Sequence, residues 1–208
     1  MRIVCLSDSH GQHRAVPIPP GDVVIHAGDI SKRGEKGELA DFLDWFGGLP
    51  HRYKIFVGGN HDFLLEDAPG EFARMVPDNC LYLNDSGIEI EGLTVWGSPI
   101  TPFFFDWAFN RHRGADIRRH WDLIPARVDI LVTHGPPYGL LDRTARGQRV
   151  GCEELLPVVK RLRPRLHVFG HIHEAYGQVE TDGTRFVNAS VLDLHYRRVN
   201  LPVVVELG

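Results

Sequence analysis

The chain has 208 residues, of which 43% are hydrophobic and 24% are charged, and its formal net charge is −4 at pH 7. This length and composition are typical of a globular protein with one substantial core, and we predict a single domain over residues 1–208. The charge predicts no surface for nucleic acid or anionic lipid. No apolar run approaches the ~20 residues that a membrane-spanning helix needs, and residues 1–6 predict a β-strand rather than a signal peptide.

The three cysteines, Cys5, Cys80 and Cys152, lie far apart in the chain. No Cys-x-x-Cys pattern is present, so the sequence predicts neither a cysteine metal site nor a redox motif. Buried free thiols are typical of a reducing compartment, and we therefore predict a cytoplasmic protein.

Short apolar runs bounded by turn residues predict β-strands that are buried on both faces. They cover residues 2–6, 22–26, 53–57, 129–133 and 166–169. Segments long enough to cross over between parallel strands separate several of these runs, which favours an α/β fold.

Helices and hairpins are predicted between and after these strands. Apolar residues at three- and four-residue spacing predict helices over residues 37–46 and 153–162. A short helix beginning near Glu71 is predicted to precede a strand at residues 80–83. Two hairpins or antiparallel sets are predicted at 88–90 with 93–97, and at 178–180, 185–188 and 203–206.

Residues 99–113 are aromatic, interrupted by proline, and fit neither a helical nor a strand period. They predict a loop that either packs over the core or forms a wall beside a ligand. For its aromatic side chains we favour packing in the core or as a lid over direct contact with a ligand.

Each of the five buried strands ends in a small cluster of Asp, His or Asn residues. In chain order these are Asp8 and His10, Asp29, Asn60 and His61, His134, and His171 and His173. Open α/β sheets bind ligands beyond the carboxyl ends of their strands. If the strands share one sheet and one direction, the clusters converge at one place.

The converging groups predict a metal centre. Two carboxylates, one amide oxygen and several imidazoles, without a thiolate, suit Mn²⁺, Fe or Zn²⁺. There are too many groups for one ion, whereas two ions ~3.5–4 Å apart that share a bridging carboxylate would use them all. Asp8 and His10 are two residues apart, so an extended segment would direct both side chains to the same side. Any one of these residues alone would fit an ordinary hydrogen-bonded loop; their joint occurrence favours the metal centre.

Taken in order, these motifs resemble those of the calcineurin-like metallophosphoesterases. They are Asp8-x-His10, Gly28-Asp29, Gly59-Asn60-His61-Asp62, His134, and Gly170-His171-Ile172-His173. Stretches such as Thr133-His134-Gly135-Pro136-Pro137 are similar to the small metallophosphoesterase-domain proteins, a subgroup associated with hydrolysis of cyclic nucleotides and other phosphodiesters. The resemblance implies a β-sandwich of two mixed sheets flanked by helices, with a dinuclear metal site at the carboxyl ends of the strands.

The resemblance also implies a role for each motif residue. Asp8, His10, Asp29 and His173 would hold one metal, and Asp29, Asn60, His134 and His171 the other. His61 would protonate the leaving oxygen as general acid, and Asp62 would orient His61. The implied cofactors are two divalent ions, Mn²⁺ first, with Fe, Zn, Co or Ni as alternatives. The implied substrate is a small-molecule phosphodiester or nucleotide, attacked by a metal-activated hydroxide.

Two departures from the protein Ser/Thr phosphatases of this superfamily bear on the substrate. Gly58 stands where those enzymes have an Arg, and Lys32-Arg33-Gly34 stands where they have Asp-Arg-Gly. Loss of the guanidinium favours phosphodiesters over phosphomonoesters. A phosphomonoesterase or phosphoprotein phosphatase, and a nucleotide-binding regulatory protein with weak activity, are the alternatives. Some vertebrate members of the subgroup lack the first His of Gly-His-x-His, whereas His171 is present here.

Overall fold

A computed structural model describes residues 1–208. Its first sheet has five strands. In spatial order they are β13 (Val203–Glu206), β1 (Arg2–Leu6), β2 (Val23–His26), β3 (Tyr53–Phe56) and β4 (Leu81–Tyr82). Strands β1 to β4 run parallel, and β13 is antiparallel to β1.

The second sheet has six strands. In spatial order they are β11 (Gly177–Thr181), β12 (Thr184–Asn188), β10 (Leu166–Phe169), β9 (Ile130–Thr133), β6 (Leu93–Ser98) and β5 (Ser86–Ile90). The four inner strands are parallel, and each edge strand is the antiparallel arm of a hairpin. A separate parallel pair, β7 (Thr101–Pro102) and β8 (Asn110–Arg111), closes the base of the aromatic loop.

Alternation along the strands divides the core into layers. Ile3 and Cys5 of β1 belong to the apolar cluster that also holds Ile130 and Val168 of the second sheet. Neighbouring residues such as Val4 face the helices instead. The two sheets therefore pack face to face with helices outside. The helices are α1 (Lys36–Gly47), α2 (Phe63–Asp67), α3 (Pro69–Ala73), α4 (Ala115–Trp121) and α5 (Leu155–Leu162).

This architecture confirms the predicted fold class, a sandwich of two mixed sheets flanked by helices. The predicted long helices and buried strands appear within two residues of their expected bounds. The helix predicted from Glu71 is wrong in its bounds, because Pro69 occupies the first helical position and the helix already ends at Ala73. Helices α2 and α4 were not predicted, since five and seven residues are too few to show a helical period. No helix of the structure has both the length and the apolar character needed to cross a membrane.

Candidate metal centre

The carboxyl ends of β1, β2 and β3 in one sheet meet those of β9 and β10 in the other. At this edge the Ser7 backbone N–H donates to the Ala189 carbonyl (2.9 Å), and His171 backbone N–H donates to Asp8 Oδ2 (3.0 Å). The polar clusters thus converge from two sheets rather than from the single sheet that the sequence argument assumed. The polar clusters still converge, because the carboxyl ends of the strands in both sheets lie at the same edge of the sandwich.

The structure brings the seven predicted ligands together in two groups around Asp29. Asp8, His10 and His173 form one group and Asp29, His134 and His171 another, with the ligand atoms of each group within 4.8 Å of one another. Asn60 Oδ1 lies 3.0 Å from His134 Nε2. Asp29 Oδ2 lies 3.5 Å from His10 Nε2 on one side and 3.5 Å from His134 Nε2 on the other. One carboxylate oxygen therefore faces both groups.

The spacing of these atoms fits metal coordination. Bonds of about 2.0–2.2 Å from an ion to nitrogen and oxygen place neighbouring ligands roughly 3–3.5 Å apart. His10 Nε2 lies 3.4 Å from His173 Nε2, and His173 Nε2 lies 3.4 Å from Asp8 Oδ1. Two imidazole nitrogens facing each other at this distance need a proton or a cation between them. The donor set and its spacing both suit a divalent ion in each group.

The ligand loops adopt unusual backbone conformations. Asp8 (φ 55°), His10 (φ 41°), Asp29 (φ 53°) and His171 (φ 66°) all lie in the left-handed region. The two side chains face the same site, as expected, but the Asp8–His10 segment reaches this arrangement through left-handed residues and not through an extended strand. Left-handed residues other than glycine cost about 1–3 kcal/mol each and persist where the surroundings fix them. Here hydrogen bonds from Asp8 N–H to the Gly28 carbonyl and from His10 N–H to the Asp29 carbonyl hold the loop.

Three glycines let the ligand loops approach one another. A Cβ at Gly170 would overlap the Asp8 carboxylate, one at Gly28 would overlap the His134 ring, and one at Gly59 would overlap Asp29. These motif glycines are therefore required by close approach to ligand side chains. At Gly28, the φ of 102° is a second reason.

Backbone carbonyls and one hydroxyl orient the ligands. The Nδ1 atoms of His134 and His173 lie 2.9 Å from the Ala27 carbonyl and 3.0 Å from the Asp193 carbonyl. Each Nδ1 is thus the N–H donor, which leaves Nε2 for a metal. Ser190 Oγ donates to Asp8 Oδ2 at 2.7 Å.

The charges of the cluster divide its imidazoles into two kinds. Burial lowers the pKa of His10 to about 4 and that of His171 to about 4, so both rings are neutral at pH 7. Burial opposes protonation of His134 and His173 as well, but Asp29 raises the pKa of His134 to about 9 and Asp8 raises that of His173 to about 9. In the absence of metal, each metal-ligand group therefore holds one neutral imidazole and one positively charged imidazolium at pH 7.

His61 and Asp62 are placed differently from each other. His61 Nδ1 donates to the Lys32 carbonyl at 2.8 Å, and a His61 ring nitrogen lies within 4.8 Å of Asp29 and His10 ligand atoms. The Asp62 carboxylate does not contact His61. It accepts hydrogen bonds from Ser31 Oγ (2.6 Å) and Gly59 N–H (2.8 Å). The expectation that Asp62 orients His61 is corrected: the Lys32 carbonyl does so.

Asp62 instead fixes the loops that carry two of the predicted ligands. Besides Ser31 Oγ and Gly59 N–H, its carboxylate accepts hydrogen bonds from the N–H groups of Ile30 (3.2 Å) and Ser31 (3.0 Å). It thereby ties the loop after Asp29 to the loop before Asn60. Burial and the nearby Asp29 raise the pKa of Asp62 to about 6.

A cavity of about 310 Å³ opens above the cluster. Its floor holds Asp29 and Asn60 together with three of the histidines, and its walls are aromatic or apolar. The wall residues are Phe104, Phe105, Trp107, Leu194 and Tyr196. Phe104 and Phe105 are 63% and 66% exposed, so this part of the aromatic loop lines the cavity. Elsewhere in the loop, Ile100, Ala108 and Phe109 are buried in the core, so core packing holds for part of the segment, and Phe104 and Phe105 cover the cavity from the side.

Sequence reasoning missed several residues of this site. Asn188 is the last residue of β12 and Ser190 follows it, much as the ligands follow their own strands, and this polar strand end was an available signal. The Asn188 side chain donates to the Ile172 carbonyl (2.9 Å), and its Oδ1 accepts from the Ser190 backbone N–H (3.2 Å). The carbonyls of Ala27, Lys32 and Asp193 give no side-chain signal in the sequence.

Comparison with known proteins supports the same interpretation. The family model for calcineurin-like phosphoesterases matches residues 1–175. Metallophosphoesterase domain-containing protein 1 of Homo sapiens is 43% identical to the chain, over 99% of this chain and 71% of that protein. UPF0046 protein T07D4.2 of Caenorhabditis elegans is 38% identical, over 100% of this chain and 60% of that protein.

A solved structure shows the same fold at low sequence identity. The protein TT1561 of Thermus thermophilus superposes with a TM-score of 0.57, over 90% of this chain and 88% of that one, at 15% identity. The predicted family resemblance is thus confirmed by sequence and the architecture by structure. The chain belongs to the calcineurin-like phosphoesterase family, whose members hydrolyse phosphoesters at a dinuclear metal site.

Proposed function

We propose that the protein is a metal-dependent phosphodiesterase acting on small-molecule phosphodiesters, with cyclic nucleotides among the candidate substrates. The observation that carries the proposal is the lining of the cavity above the metal-ligand cluster. Its ten lining residues include no Lys and no Arg, and five of them are aromatic or aliphatic. Such walls suit a monoanionic diester with apolar ester groups better than a dianionic monoester, which calls for cationic hydrogen-bond donors.

Gly58 supports the same preference. A Cβ at this position would contact the Phe109 ring at 2.9 Å and Leu65 at 3.0 Å, so a side chain here would run into apolar core. The guanidinium that related phosphatases supply from this position has no counterpart in the cavity. The negative charge of the substrate would then be met by the metal centre alone.

The seven clustered residues would hold the two ions. Asp8, His10 and His173 would serve one site, Asn60, His134 and His171 would serve the other, and Asp29 would be shared between them. Mn²⁺ is the proposed ion, with Fe, Zn, Co or Ni as alternatives, because oxygen and imidazole donors dominate the set. When bound, such a pair activates a water molecule and neutralises charge on the phosphate.

The protein's own residues contribute proton transfer and exclusion of water. The Lys32 carbonyl holds the His61 Nδ1 proton, which directs Nε2 toward the substrate. Protonated His61 donates that Nε2 proton to the departing alkoxide as the phosphorus–oxygen bond breaks. Trp107 packs 4.3 Å from the His61 ring, between centroids, and keeps water from its outer face.

The three cysteines are free and buried, as expected for a reducing environment, and we place the protein in the cytoplasm. The proposed partner is a small-molecule substrate rather than a nucleic acid or a membrane, in keeping with the formal net charge of −4.

Hydrolysis of bis-p-nitrophenyl phosphate by metal-stripped protein, with and without added Mn²⁺, tests the proposal. We expect Mn²⁺-dependent turnover that exceeds turnover of p-nitrophenyl phosphate at the same metal loading. Asp8→Ala should abolish it, and His61→Ala should lower kcat by about 10²–10⁴-fold while the bound metal stays at the wild-type level. Equal or faster turnover of the monoester would overturn the diester preference.

A phosphomonoesterase is the second candidate, and one observation favours it. Lys32 lines a cavity of about 280 Å³ that adjoins the metal-ligand cluster beside His61. A lysine there could meet a dianionic phosphate. Lys32→Met leaves the backbone carbonyl in place, so a selective loss of monoester turnover in this variant would favour the second candidate. If no diester or monoester is turned over with any of the five metals, the nucleotide-binding alternative replaces both.

A further inference from the structure

Three cavities lie in series along the carboxyl edge of the two sheets. The central cavity above the metal-ligand cluster shares His61 and Tyr196 with the cavity beside Lys32. At its other end it shares Phe104 and His171 with a third cavity of about 270 Å³. The general acid candidate and the third cavity therefore lie at opposite ends of the central one.

Apart from Phe104 and His171, the third cavity is lined by residues that the central cavity lacks. Its lining includes the aromatic rings of Phe103 and Phe104, the segments Gly135-Pro136 and Val150-Gly151, and two arginines, Arg113 and Arg149. Phe103 is stacked on His112 with ring centroids 4.6 Å apart and planes at 22°, which holds its ring in place although it is 49% exposed. An aromatic wall with a fixed ring facing open space suits a flat aromatic group.

Arg113 is oriented by the protein. Its Nη2 donates to the carbonyls of Val150 (3.2 Å) and Gly151 (3.0 Å), its Nη1 lies 3.9 Å from Glu154 Oε2, and its side chain remains 40% exposed. A guanidinium has five N–H donors, so others remain for a ligand. The cavity therefore combines ring stacking with a positively charged hydrogen-bond donor.

The direction of bond cleavage determines which ester group of the substrate each of the two outer cavities would hold. Hydrolysis of an acyclic diester converts the diester and water into an alcohol and a monoester: water oxygen bonds to phosphorus, and the bond to the leaving oxygen breaks. The leaving oxygen takes its proton from His61, so the leaving alcohol departs at the Lys32 end. The other ester group keeps its bond to phosphorus and must lie elsewhere.

We infer that the cavity formed by Phe103, Phe104 and Arg113 is the subsite for the ester group that is retained on phosphorus, and that this group is a flat aromatic system carrying a hydrogen-bond acceptor. The inference rests on the proposed phosphodiesterase function. The leaving alcohol is polar, because Gln12 and Lys32 line the cavity on the side of His61. The enzyme thus distinguishes the two ester groups of an asymmetric diester.

Two substrates with the same leaving group test this assignment. Bis-p-nitrophenyl phosphate and methyl p-nitrophenyl phosphate both release p-nitrophenolate, but the first retains an aryl group and the second a methyl group. The ratio of their kcat/KM values in Mn²⁺-loaded wild type is compared with the ratio in Phe103→Ala. Comparing ratios cancels the intrinsic reactivity of the substrates. Phe103 lines the third cavity and does not line the central one.

We expect Phe103→Ala to lower this ratio by about fivefold, as loss of one aromatic contact predicts, with the methyl ester unaffected. Inhibition by the product p-nitrophenyl phosphate should weaken to the same extent, and inhibition by methyl phosphate should not change. Leu123→Ala, which removes a 56% exposed side chain outside these cavities, is the matched control and should behave as wild type.

An unchanged ratio in Phe103→Ala, or an equal loss with both diesters, would overturn the assignment of the retained group. Absence of Mn²⁺-dependent turnover of either diester by wild type is a different result: it refutes the proposed function, and the subsite falls with it.

Discussion

The floor and the rim of the central cavity are built in opposite ways. The floor consists of buried polar residues at the ends of β-strands, and four of the ligands, Asp8, Asp29, His134 and His173, are fixed by glycine contacts, backbone carbonyls or a hydroxyl. The rim consists of exposed side chains on loops: Phe104 and Phe105 on one side and Leu194 (52% exposed) on the other. The predicted metal ligands are thus positioned by the ends of β-strands. The side chains that would contact the substrate lie on exposed loops.

Exposed large apolar side chains are concentrated near this rim. Seven of the ten lie on two segments, residues 103–105 and 194–201, and both segments contribute to the cavity wall. The remaining three, Leu123, Tyr138 and Val179, are scattered elsewhere. Changes to the floor should therefore alter metal binding, and changes to the rim should alter only substrate preference.

Asp29→Asn should have the largest effect of any floor substitution. Asparagine keeps the oxygen that accepts the hydrogen bond from the His61 backbone N–H (2.9 Å), but it removes the negative charge between the two metal-ligand groups. We expect kcat/KM to fall at least about a thousandfold and bound metal to fall below two ions per chain, measured by elemental analysis. Asp44→Asn, at a side chain that is 78% exposed, is the control. Full metal content in Asp29→Asn would contradict the bridging role.

Ser190→Ala should have an intermediate effect, because it removes the hydroxyl that donates to Asp8 and leaves every ligand in place. Loss of such an outer hydrogen bond typically costs about 10–100-fold in metal affinity. Mn²⁺ titration should show this loss, while kcat at saturating Mn²⁺ stays close to wild type. A reduced kcat at saturation would mean that Ser190 acts on the substrate instead.

The charge of the floor makes metal-dependent stability vary with pH. In metal-free protein, Asp29 and Asp8 raise the pKa values of His134 and His173 from 6.5 to about 9, despite burial. Their protonation stabilises the metal-free fold fully below pH 6.5, and this contribution is lost as pH rises to about 9. Bound metal replaces these protons. The Tm difference between Mn²⁺-loaded and metal-free protein should therefore widen from pH 6.5 to 9; a constant difference would contradict this charge arrangement.

Leu194→Ala should have the smallest effect, because a half-exposed rim side chain contributes little to folding. We expect a change in unfolding free energy within about 0.5 kcal/mol, wild-type metal content, and at most a severalfold rise in KM for aryl diesters. Loss of bound metal in this variant would show that floor and rim are not separable.

The same contrast explains what the sequence could predict. The floor was predictable because Asp, His and Asn directly after apolar strands are a local pattern, and parallel strands bring such ends together. The left-handed conformations of Asp8 and His10 were not predictable, since the spacing of the two residues alone suggested an extended segment. The role of Asp62 was misassigned because sequence adjacency to His61 does not determine which N–H groups its carboxylate reaches.

The rim was the least predictable part. Residues 99–113 have no period, so their position depends on tertiary contacts such as the β7 and β8 pairing and the hydrogen bonds from Asn110 to the Phe104 and Phe105 carbonyls (both 3.1 Å). Strand bounds were predicted well, because burial on both faces leaves a continuous apolar run. The division of those strands between two sheets depends on packing that no single segment encodes.

The most direct test of the two-ion assignment is the anomalous scattering of Mn²⁺ in crystals of the metal-loaded protein. We predict two peaks per chain about 3.5–4 Å apart, one on each side of Asp29, the first beside Asp8, His10 and His173 and the second beside Asn60, His134 and His171. A single peak at full occupancy, or two peaks that do not share Asp29, would contradict the account.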